Sequence, residues 1–467
     1  MAIAKSRNMT EGGIARHLIL YSIPILLSNL FQTFYTMVDS LVIGWTGNAE
    51  AFAAIGAVTP VTDVLIGIVW GFVTGTEILL AQTFGKGDRG EVGKVATAGV
   101  VGTLGLGLIA AALGLVLHGP LLHILLGESG DPTIFAHART YLVIYFLGMP
   151  AMALYNIGCS LLRSIGDSQR PLYFLVASSV LNILLDVLFV FVIPLGVAGV
   201  ALATVLSQTA SAIPLFVILF RTDTPVRLAF RRMVPKWRLL CRIFLLGLPG
   251  AIQTSISSFA NVFTQSYIAG ANGSQTANLG GYSAYSKTYS LLLQPVSAIA
   301  AGVTIFAAQN TGAGRIDRAR RGVRTAMLLG LVASAPLAML TMLFSSSIPY
   351  FFIADPAIVA IASRLLLFMT PCIVLTVLES PLRSAMRGAG DTFTPMVVSL
   401  ATAVGLRQLV LFLTKQFISN DLLHLSLSHP ITWGVTFLVL LPLYLRTFRK
   451  LANRAATDTD IKEPQET

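Results

Sequence analysis

Charged residues are scarce in this chain. Asp, Glu, Lys and Arg make up 11% of its 467 residues, whereas a soluble domain carries roughly 25%. Hydrophobic residues make up 55%, and the mean hydropathy is +0.76. This composition excludes an ordinary soluble domain and predicts an integral membrane protein that lies mostly in lipid.

Cysteine and histidine are also few. Cys159, Cys241 and Cys372 are far apart and lie in or beside apolar stretches, so they predict neither a disulfide framework nor a metal site. The six histidines show no metal-ligand spacing. A phosphate-binding loop is missing, which argues against an ATP-driven pump. No metal triad or protease motif is present either, so an intramembrane enzyme is only a second alternative, and we expect no catalytic residue and no cofactor.

What the chain has in abundance is long apolar stretches. A membrane-spanning helix needs about 20 mainly apolar residues. We find twelve such stretches and predict an all-α polytopic membrane protein. They lie near 18–44, 52–83, 95–118, 133–157, 171–193, 196–220, 240–269, 278–309, 323–346, 357–382, 394–418 and 428–448.

One module occurs twice along the chain. Arg163–Pro171 is echoed by Arg387–Pro395, with Arg, Gly, Asp and Pro at the same spacing and an offset of 224 residues. A second pair, Ala81–Gly87 and Ala308–Gly314, is offset by 227 residues. Six spans separate the copies, so the two halves have the same orientation and are related by an axis along the membrane normal. We predict two pseudo-symmetric six-helix bundles.

The basic residues follow the topology. If the N-terminus is cytoplasmic, nearly every Lys and Arg falls in a segment predicted to lie inside. The exceptions are Arg139, Lys287, Arg364, Arg407 and Lys415, in or near spans. A Lys/Arg bias of this kind sets orientation. We therefore expect a multi-pass protein of the plasma membrane with both termini in the cytoplasm. The net charge of +11 then reflects topology and not nucleic-acid binding.

These patterns divide the chain into four parts. Residues 1–220 form an N-lobe with spans 1–6, and residues 221–239 form a basic cytoplasmic linker. Residues 240–450 form a C-lobe with spans 7–12. The polar tail, 451–467, is expected to be disordered.

Polar groups within the spans are costly and usually functional. In the N-lobe, Asp39, Tyr141, Asn182, Asp186 and Thr204 come from four spans and fall roughly 8–16 Å below the outer surface at 1.5 Å per residue. Asn182 and Asp186 are four residues apart and share a helix face. Two carboxyls, an amide and two hydroxyls at one level can hold a proton or a small hard cation such as Na⁺. Because two close acids repel in a low dielectric, at least one is expected to bind a proton.

The C-lobe has no carboxyl that matches Asp39 or Asp186. Lys287 and Glu379 could form an intramembrane ion pair, or they could be placed separately. Two further acids, Asp63 and Glu77, lie on roughly one face of span 2. These four residues and Gln253 are candidates to line a substrate cleft, together with the span 1 aromatics Phe31, Phe34 and Tyr35.

An ordered set of motifs resembles the multidrug and toxic compound extrusion (MATE) family, in its DinF-like prokaryotic branch. The motifs are Pro24 with Gln32-x-x-Tyr35-x-x-Val38-Asp39, Ala81-Gln82-x-x-Gly85, Leu162-Arg163-x-x-Gly166-Asp167, Leu181-Asn182-x3-Asp186, Gln309-Asn310-x-Gly312, and Arg387-Gly388-x-Gly390-Asp391. The resemblance covers essentially the whole apolar length of the chain.

The resemblance implies H⁺- or Na⁺-coupled antiport that expels amphipathic, often cationic drugs. By motif, the cation site falls on Asp39, Asn182, Asp186 and Thr204, with Gln32 and Tyr141 nearby, and span 1 bends at Pro24. We expect a monomer in the bilayer that binds small-molecule drugs and no nucleic acid. The alternative is a lipid-linked oligosaccharide flippase of the same superfamily. Such a flippase is expected to line its cavity with several arginines that bind a pyrophosphate. Here only Arg407 lies well inside a span, which disfavours this alternative.

Overall fold

The computed structural model describes residues 8–45, 48–126, 131–228 and 236–460. Within these ranges the regular structure is helical, without a strand. The helices before the linker are α1 (Ile14–Trp45), α2 (Ala49–Gly85), α3 (Arg89–Leu126), α4 (Pro132–Ser164), α5 (Gln169–Val187) and α6 (Val197–Arg221). Those after it are α7 (Trp237–Ala269), α8 (Gln275–Leu292), α9 (Gln294–Gly312), α10 (Ile316–Leu343), α11 (Pro356–Met369), α12 (Ile373–Gly388), α13 (Phe393–Leu400), α14 (Arg407–Leu413), α15 (Leu422–Ser426) and α16 (Ser428–Asp460).

Eleven helical segments of the described chain are long and apolar enough to cross a membrane. The pair α8 and α9 makes a twelfth when it is counted as one span, with a bend of 45° between them. Pro295 lies at the start of α9, where it provides no amide donor for the α8 hydrogen-bond ladder, and this explains the break. The predicted all-α polytopic fold is confirmed.

Contacts between Cα atoms divide the chain into two compact units. Unit 1 comprises Met1–Asn8 and Leu27–Ile252, and unit 2 comprises Met9–Leu26 and Gln253–Thr467. The predicted lobes differ from these units, because the first part of α1 groups with unit 2 and the first part of α7 with unit 1. The division falls shortly after Pro24 in α1 and shortly after Pro249 in α7. A proline interrupts the helix hydrogen bonds and permits a change of direction there.

The end of the chain also differs from the prediction. Helix α16 continues to Asp460, so residues 451–460 of the predicted disordered tail are helical. This stretch contains Leu, Ala and Arg, which are strong helix formers. Residues 461–467 of the tail and 229–235 of the predicted linker lie outside the described residues.

The repeated Arg-x-x-Gly-Asp motif forms the same helix ending in both units. In unit 1, Gly166 N–H donates to the Arg163 carbonyl at 2.9 Å and Asp167 N–H donates to the Leu162 carbonyl at 3.1 Å. The corresponding bonds of Gly390 and Asp391 in unit 2 measure 2.9 and 3.0 Å. This is the Schellman pattern, which places a residue in the left-handed region. Gly166 (φ 83°) and Gly390 (φ 95°) occupy that position without a Cβ penalty.

Unit 1 packs α4 against α2, α3 and α6, so α4 is its central helix. The first part of α7 lies against α2 through small residues. A Cβ atom on Gly75 would meet the backbone of Gly247 at 2.8 Å and the Ile243 carbonyl oxygen closer still. The backbones of α2 and α7 are therefore in direct contact, as glycine allows within membranes.

Unit 2 packs α9 against α10 and α12, and its first segment is fastened by hydrogen bonds. Met9 N–H donates to Gln309 Oε1 at 2.9 Å, and Arg315 Nη1 donates to the Thr10 carbonyl at 2.5 Å. Further along the segment, Ser22 Oγ is only 2.9 Å from the position that a Cβ atom on Gly302 of α9 would take, so the two helices are closely packed there. Gln309 of the second repeated motif thus binds the backbone of Met9, close to the first of the described residues.

Candidate functional site

Two acids of unit 1 meet inside the helix bundle. The carboxyl groups of Asp39 on α1 and Asp186 on α5 lie close enough to interact with each other. Asp186 is fully buried, and neither of its oxygens receives a hydrogen bond from an amide, hydroxyl or other donor of the described residues. The same is true of Asp39 Oδ1. A hydrogen bond between two carboxyl groups requires a proton on one of them, so the pair can share a proton.

Tyr35 lies beside this acid pair. It precedes Asp39 by four residues on α1, and its phenol is close enough to both carboxyls to interact with them electrostatically. Tyr155 on α4 is in turn a neighbour of Tyr35. We predicted Tyr35 as a cleft aromatic, whereas the structure places it next to the acids. The four-residue spacing to Asp39 was the signal for this position.

Helix α5 carries a stripe of polar groups towards the interior. Ser179, Asn182 and Asp186 follow one another at spacings of three and four residues, and therefore lie on one helix face. Asn182 is 2% exposed, and both atoms of its amide, like Ser179 Oγ, have no hydrogen-bond partner among the described residues. Buried polar groups without a partner are rare in native proteins and indicate a functional role. Sequence reasoning missed Ser179.

Helix α6 packs against α5 and contributes two more polar side chains. Thr204 is buried, and its hydroxyl donates to the Val200 carbonyl at 3.1 Å, which leaves the oxygen lone pairs available. Gln208, one turn further, has a buried Oε1 without a partner in the described chain. Thr204 was a predicted ligand, and Gln208 was not singled out.

An apolar cluster adjoins the acid pair. It contains Val38, next to Asp39; Val190, one turn after Asp186; and Val200, one turn before Thr204. Tyr141 packs against this cluster and stacks on Tyr145, with ring centroids 5.8 Å apart. The helices α1, α4, α5 and α6 therefore converge here. The low-dielectric surroundings strengthen every electrostatic interaction of the pair.

Three other predicted residues of α1 lie on exposed faces. Gln32 shares a face with Asp39, since seven residues separate them, but its side chain is exposed. Phe31 and Phe34 are 40% and 62% exposed. Contact of these side chains with a substrate stays a prediction.

The second predicted acid of α2 is engaged elsewhere. Glu77 accepts from Arg163 Nε at 3.3 Å and from Ser160 Oγ at 3.2 Å, both on α4. Its partner is the arginine of the repeated motif, so Glu77 joins α2 to α4. The side chain of Asp63 lies outside the described residues.

The suggested Lys287–Glu379 ion pair is wrong. Glu379 on α12 pairs with Arg383, one turn further on the same helix face. Lys287 lies on the exposed side of α8, with Nζ 5.8 Å from the ring centre of Phe352. The i,i+4 neighbour reaches the buried carboxylate without crossing to another helix. Gln253 accepts a hydrogen bond from Arg387.

Glu379→Gln is expected to lower stability while leaving export per folded molecule intact. Glu379 is buried, and its loss removes the carboxylate beside Arg383 and Arg387. We expect a loss of about 1–3 kcal/mol, because the half-buried guanidinium of Arg383 loses its charged partner. Thermal unfolding in detergent and dye export from proteoliposomes check this result.

The control for that variant is Asp317→Asn, which removes the exposed partner of Arg320 on α10. It is expected to keep the wild-type melting temperature, since surface ion pairs contribute little. An unchanged melting temperature of Glu379→Gln, or loss of export by its folded form, would contradict the prediction.

The polar groups of unit 1 suit one small cation, and cation binding here stays a prediction. The two carboxyls are able to share a proton. Alternatively, the carboxylate oxygens, with the Asn182 amide oxygen and the Thr204 hydroxyl, are hard ligands of the kind that Na⁺ accepts. Within the described residues no cluster of three or more His, Cys, Asp or Glu side chains is arranged for a metal ion.

Comparison with known proteins gives consistent matches. The MatE family model matches residues 24–188 and 246–413, one match in each repeat. The probable multidrug resistance protein YoeA of Bacillus subtilis is 28% identical over 456 residues, which covers 95% of this chain and 96% of the relative. The probable multidrug resistance protein NorM of Thermotoga maritima is 25% identical over 422 residues, with 88% of each chain covered.

A solved structure shares the fold. It is described as the outward-facing conformation of a multidrug resistance MATE family transporter of the MOP superfamily. The TM-score is 0.89 at 21% sequence identity, and the match covers 97% of this chain and all of the other.

Proposed function

This chain belongs to the MatE family of membrane transporters, and from that premise we propose that it is a secondary active multidrug exporter driven by cation exchange. It is a transporter and not an enzyme. The coupling ion is bound by Asp39 and Asp186 within unit 1. Each cation that enters the cell drives one amphipathic or cationic drug molecule out.

The observation that supports this proposal best is the contact between the two carboxyl groups. With one shared proton the pair is held together by a hydrogen bond. Without the proton, two carboxylates repel each other in surroundings of low dielectric. The protonation state therefore changes the preferred packing of α1 against α5, which is the differential interaction that coupling requires.

Movement of α1 carries this change along the helix. Pro24 lies inside α1, and the grouping of the chain into compact units changes just after it. Since proline leaves a carbonyl without its helical donor, bending there breaks no further hydrogen bond. We assign Pro24 as the hinge through which cation binding shifts the first part of α1 and releases the drug.

Sodium is the competing ion. Asp39, Asp186, Asn182 and Thr204 together offer carboxylate, amide and hydroxyl oxygens. The proton is favoured because the two carboxyls lie close enough to share it. A sodium site would separate the two carboxyls around the ion, since each oxygen ligand needs its own place at the metal.

The direction of transport follows from orientation. The bias of Lys and Arg towards the predicted inside segments favours cytoplasmic termini in a plasma-membrane protein. The polar site then lies nearer to the outer surface, so a cation from outside reaches it first. The drug leaves in the opposite direction.

The test separates the two ions. The purified protein is reconstituted into liposomes, and the liposomes are loaded with a fluorescent monovalent organic cation. A proton gradient and a sodium gradient are then imposed in separate experiments. We expect the proton gradient to drive transport, and one-for-one exchange predicts about a tenfold concentration ratio per pH unit, because a tenfold ratio corresponds to 1.4 kcal/mol for both solutes.

Protein-free liposomes and collapsed gradients are the controls. If transport follows only the sodium gradient, the coupling ion is Na⁺ and not H⁺. Transport that follows neither gradient would contradict the exchange mechanism.

A further inference from the structure

A second cluster of polar and aromatic side chains lies in unit 2. Its centre is Arg407, at the start of α14. Tyr282 and Tyr285 on α8 and His429 on α16 lie close enough to Arg407 to interact with it electrostatically. Tyr282 Oη and His429 Nε2 are 3.1 Å apart and share a hydrogen bond.

Aromatic rings continue from this group. The rings of Tyr282 and Tyr285 have centroids 5.6 Å apart, and those of Tyr285 and Tyr289 are 5.5 Å apart. Tyr289 stacks on Trp433, with centroids 5.7 Å apart and an angle of 3° between the planes. Arg407 is thus bordered by aromatic surface, which attracts a guanidinium and stacks well on planar rings.

Arg407 is 9% exposed, and its guanidinium makes no hydrogen bond or ion pair with any described residue. The acids of unit 2 whose side chains are described are each engaged elsewhere. Glu11 pairs with Arg315, Asp317 with Arg320 and Glu379 with Arg383; Asp355 and Asp421 cap helices, and Asp391 binds Thr394 and Thr447. The positive charge of Arg407 therefore lacks a counter-charge from this part of the chain.

An uncompensated guanidinium within a span is unfavourable, and such residues mark substrate paths. Arginine is also suited to one class of ligand: its planar fork binds carboxylate, sulfonate or phosphate through two parallel hydrogen bonds. An anionic ligand would therefore supply the counter-charge that Arg407 lacks among the described residues.

The depth of Arg407 in its span favours a solute over a lipid headgroup as its ligand. The span runs from Phe393 to Ile418, and Arg407 lies near its middle. At 1.5 Å per residue, this is roughly 17–21 Å from either end, whereas headgroups lie at the ends. Two π-helical stretches, Ala401–Leu406 and Thr414–Ile418, flank α14. Such irregular turns are frequent at functional sites.

We propose that Arg407, with the Tyr282, Tyr285 and His429 side chains around it, binds the anionic group of a planar aromatic solute. This adds aromatic anions to the substrate class of the exporter. The inference rests on the proposed function only in treating the bound solute as cargo. The binding itself needs no ion gradient and no residue of the acid pair.

The test uses two dyes that share a xanthene ring. Fluorescein carries a carboxylate, and rhodamine 123 is a cation without one. Their binding to the purified full-length protein in neutral detergent is measured by fluorescence anisotropy. We expect Arg407→Gln to weaken fluorescein binding by about tenfold or more, since a charge-assisted pair is lost, and to leave rhodamine 123 binding unchanged. Arg407→Lys keeps the charge and is expected to restore part of the affinity.

Arg364→Gln is the matched control, because Arg364 is an exposed arginine in a span of the same unit. It is expected to bind fluorescein like the wild type. Short-chain phosphatidylglycerol is added as a competitor, with short-chain phosphatidylcholine as its neutral counterpart, and neither is expected to displace fluorescein.

Several outcomes would overturn the proposal. They are absence of saturable fluorescein binding, equal affinity of wild type and Arg407→Gln, equal loss of both dyes, or displacement by phosphatidylglycerol alone. Because the measurement is made at equilibrium, failure of ion-driven transport does not affect it. Conversely, loss of fluorescein binding leaves the exchange mechanism at Asp39 and Asp186 intact.

Discussion

Asp39→Asn is expected to reduce ion-driven drug efflux to the level of vesicles that lack the transporter. The amide has the shape of the carboxyl group but cannot take up or release a proton in the physiological range. It can still hydrogen-bond to Asp186, so the packing of α1 against α5 is kept while the charge change is lost. The effect is measured in everted membrane vesicles, where export appears as dye uptake into the vesicle.

Two controls make this result specific. Asp223→Asn replaces an exposed acid of unit 1 and is expected to export normally. The amount of Asp39→Asn protein in the membrane is expected to match the wild type, because the amide fills the same space as the carboxyl group. Normal export by Asp39→Asn would remove this residue from the mechanism.

Gly75→Val is expected to abolish accumulation of folded protein. A Cβ atom at this position would overlap the Ile243 carbonyl oxygen and approach Gly247 N to 2.8 Å. Both obstacles are backbone atoms of α7, so no side-chain rotation relieves the overlap. The helices must separate along their length, at a cost of about 3 kcal/mol or more. Size-exclusion chromatography of the solubilised protein before and after heating measures the loss.

The matched control is Gly56→Val on the same helix. Among the described residues, no atom lies within 4 Å of a Cβ built on Gly56. The substitution therefore tests valine in α2 without the contact to α7, and we expect folded protein in normal amounts. Normal yield and melting behaviour of Gly75→Val would show that α2 and α7 are not in backbone contact.

Much of the fold could be predicted from local sequence. Lipid requires every backbone polar group to be satisfied within the segment, so apolar length alone indicates the spans. The repeated Arg-x-x-Gly-Asp motif also carries its own structure, because Gly166 and Gly390 end a helix in the left-handed conformation. Membership of the MatE family followed from the same motifs.

The candidate site could be predicted in part. Helix period and depth indicated that Asp39, Asn182 and Asp186 lie at one level, and the structure brings the two carboxyls together. Their role in coupling stays a prediction. Tyr35 was assigned to the cleft instead of the acid pair, since depth does not say which way a side chain points. Lys287 and Glu379 were considered together because both are charged within spans, but a partner four residues away on α12 engages the acid.

The sequence by itself determined the class of the protein, its apolar spans and the duplicated plan, because these depend on the solvation of each segment in lipid or water; the orientation of the spans stays a prediction. Only the tertiary structure decided which charges meet, that α1 and α7 each divide between two compact units, and that Arg407 has no acid beside it among the described residues. These outcomes depend on distances between residues remote in the chain, and no local pattern encodes such distances.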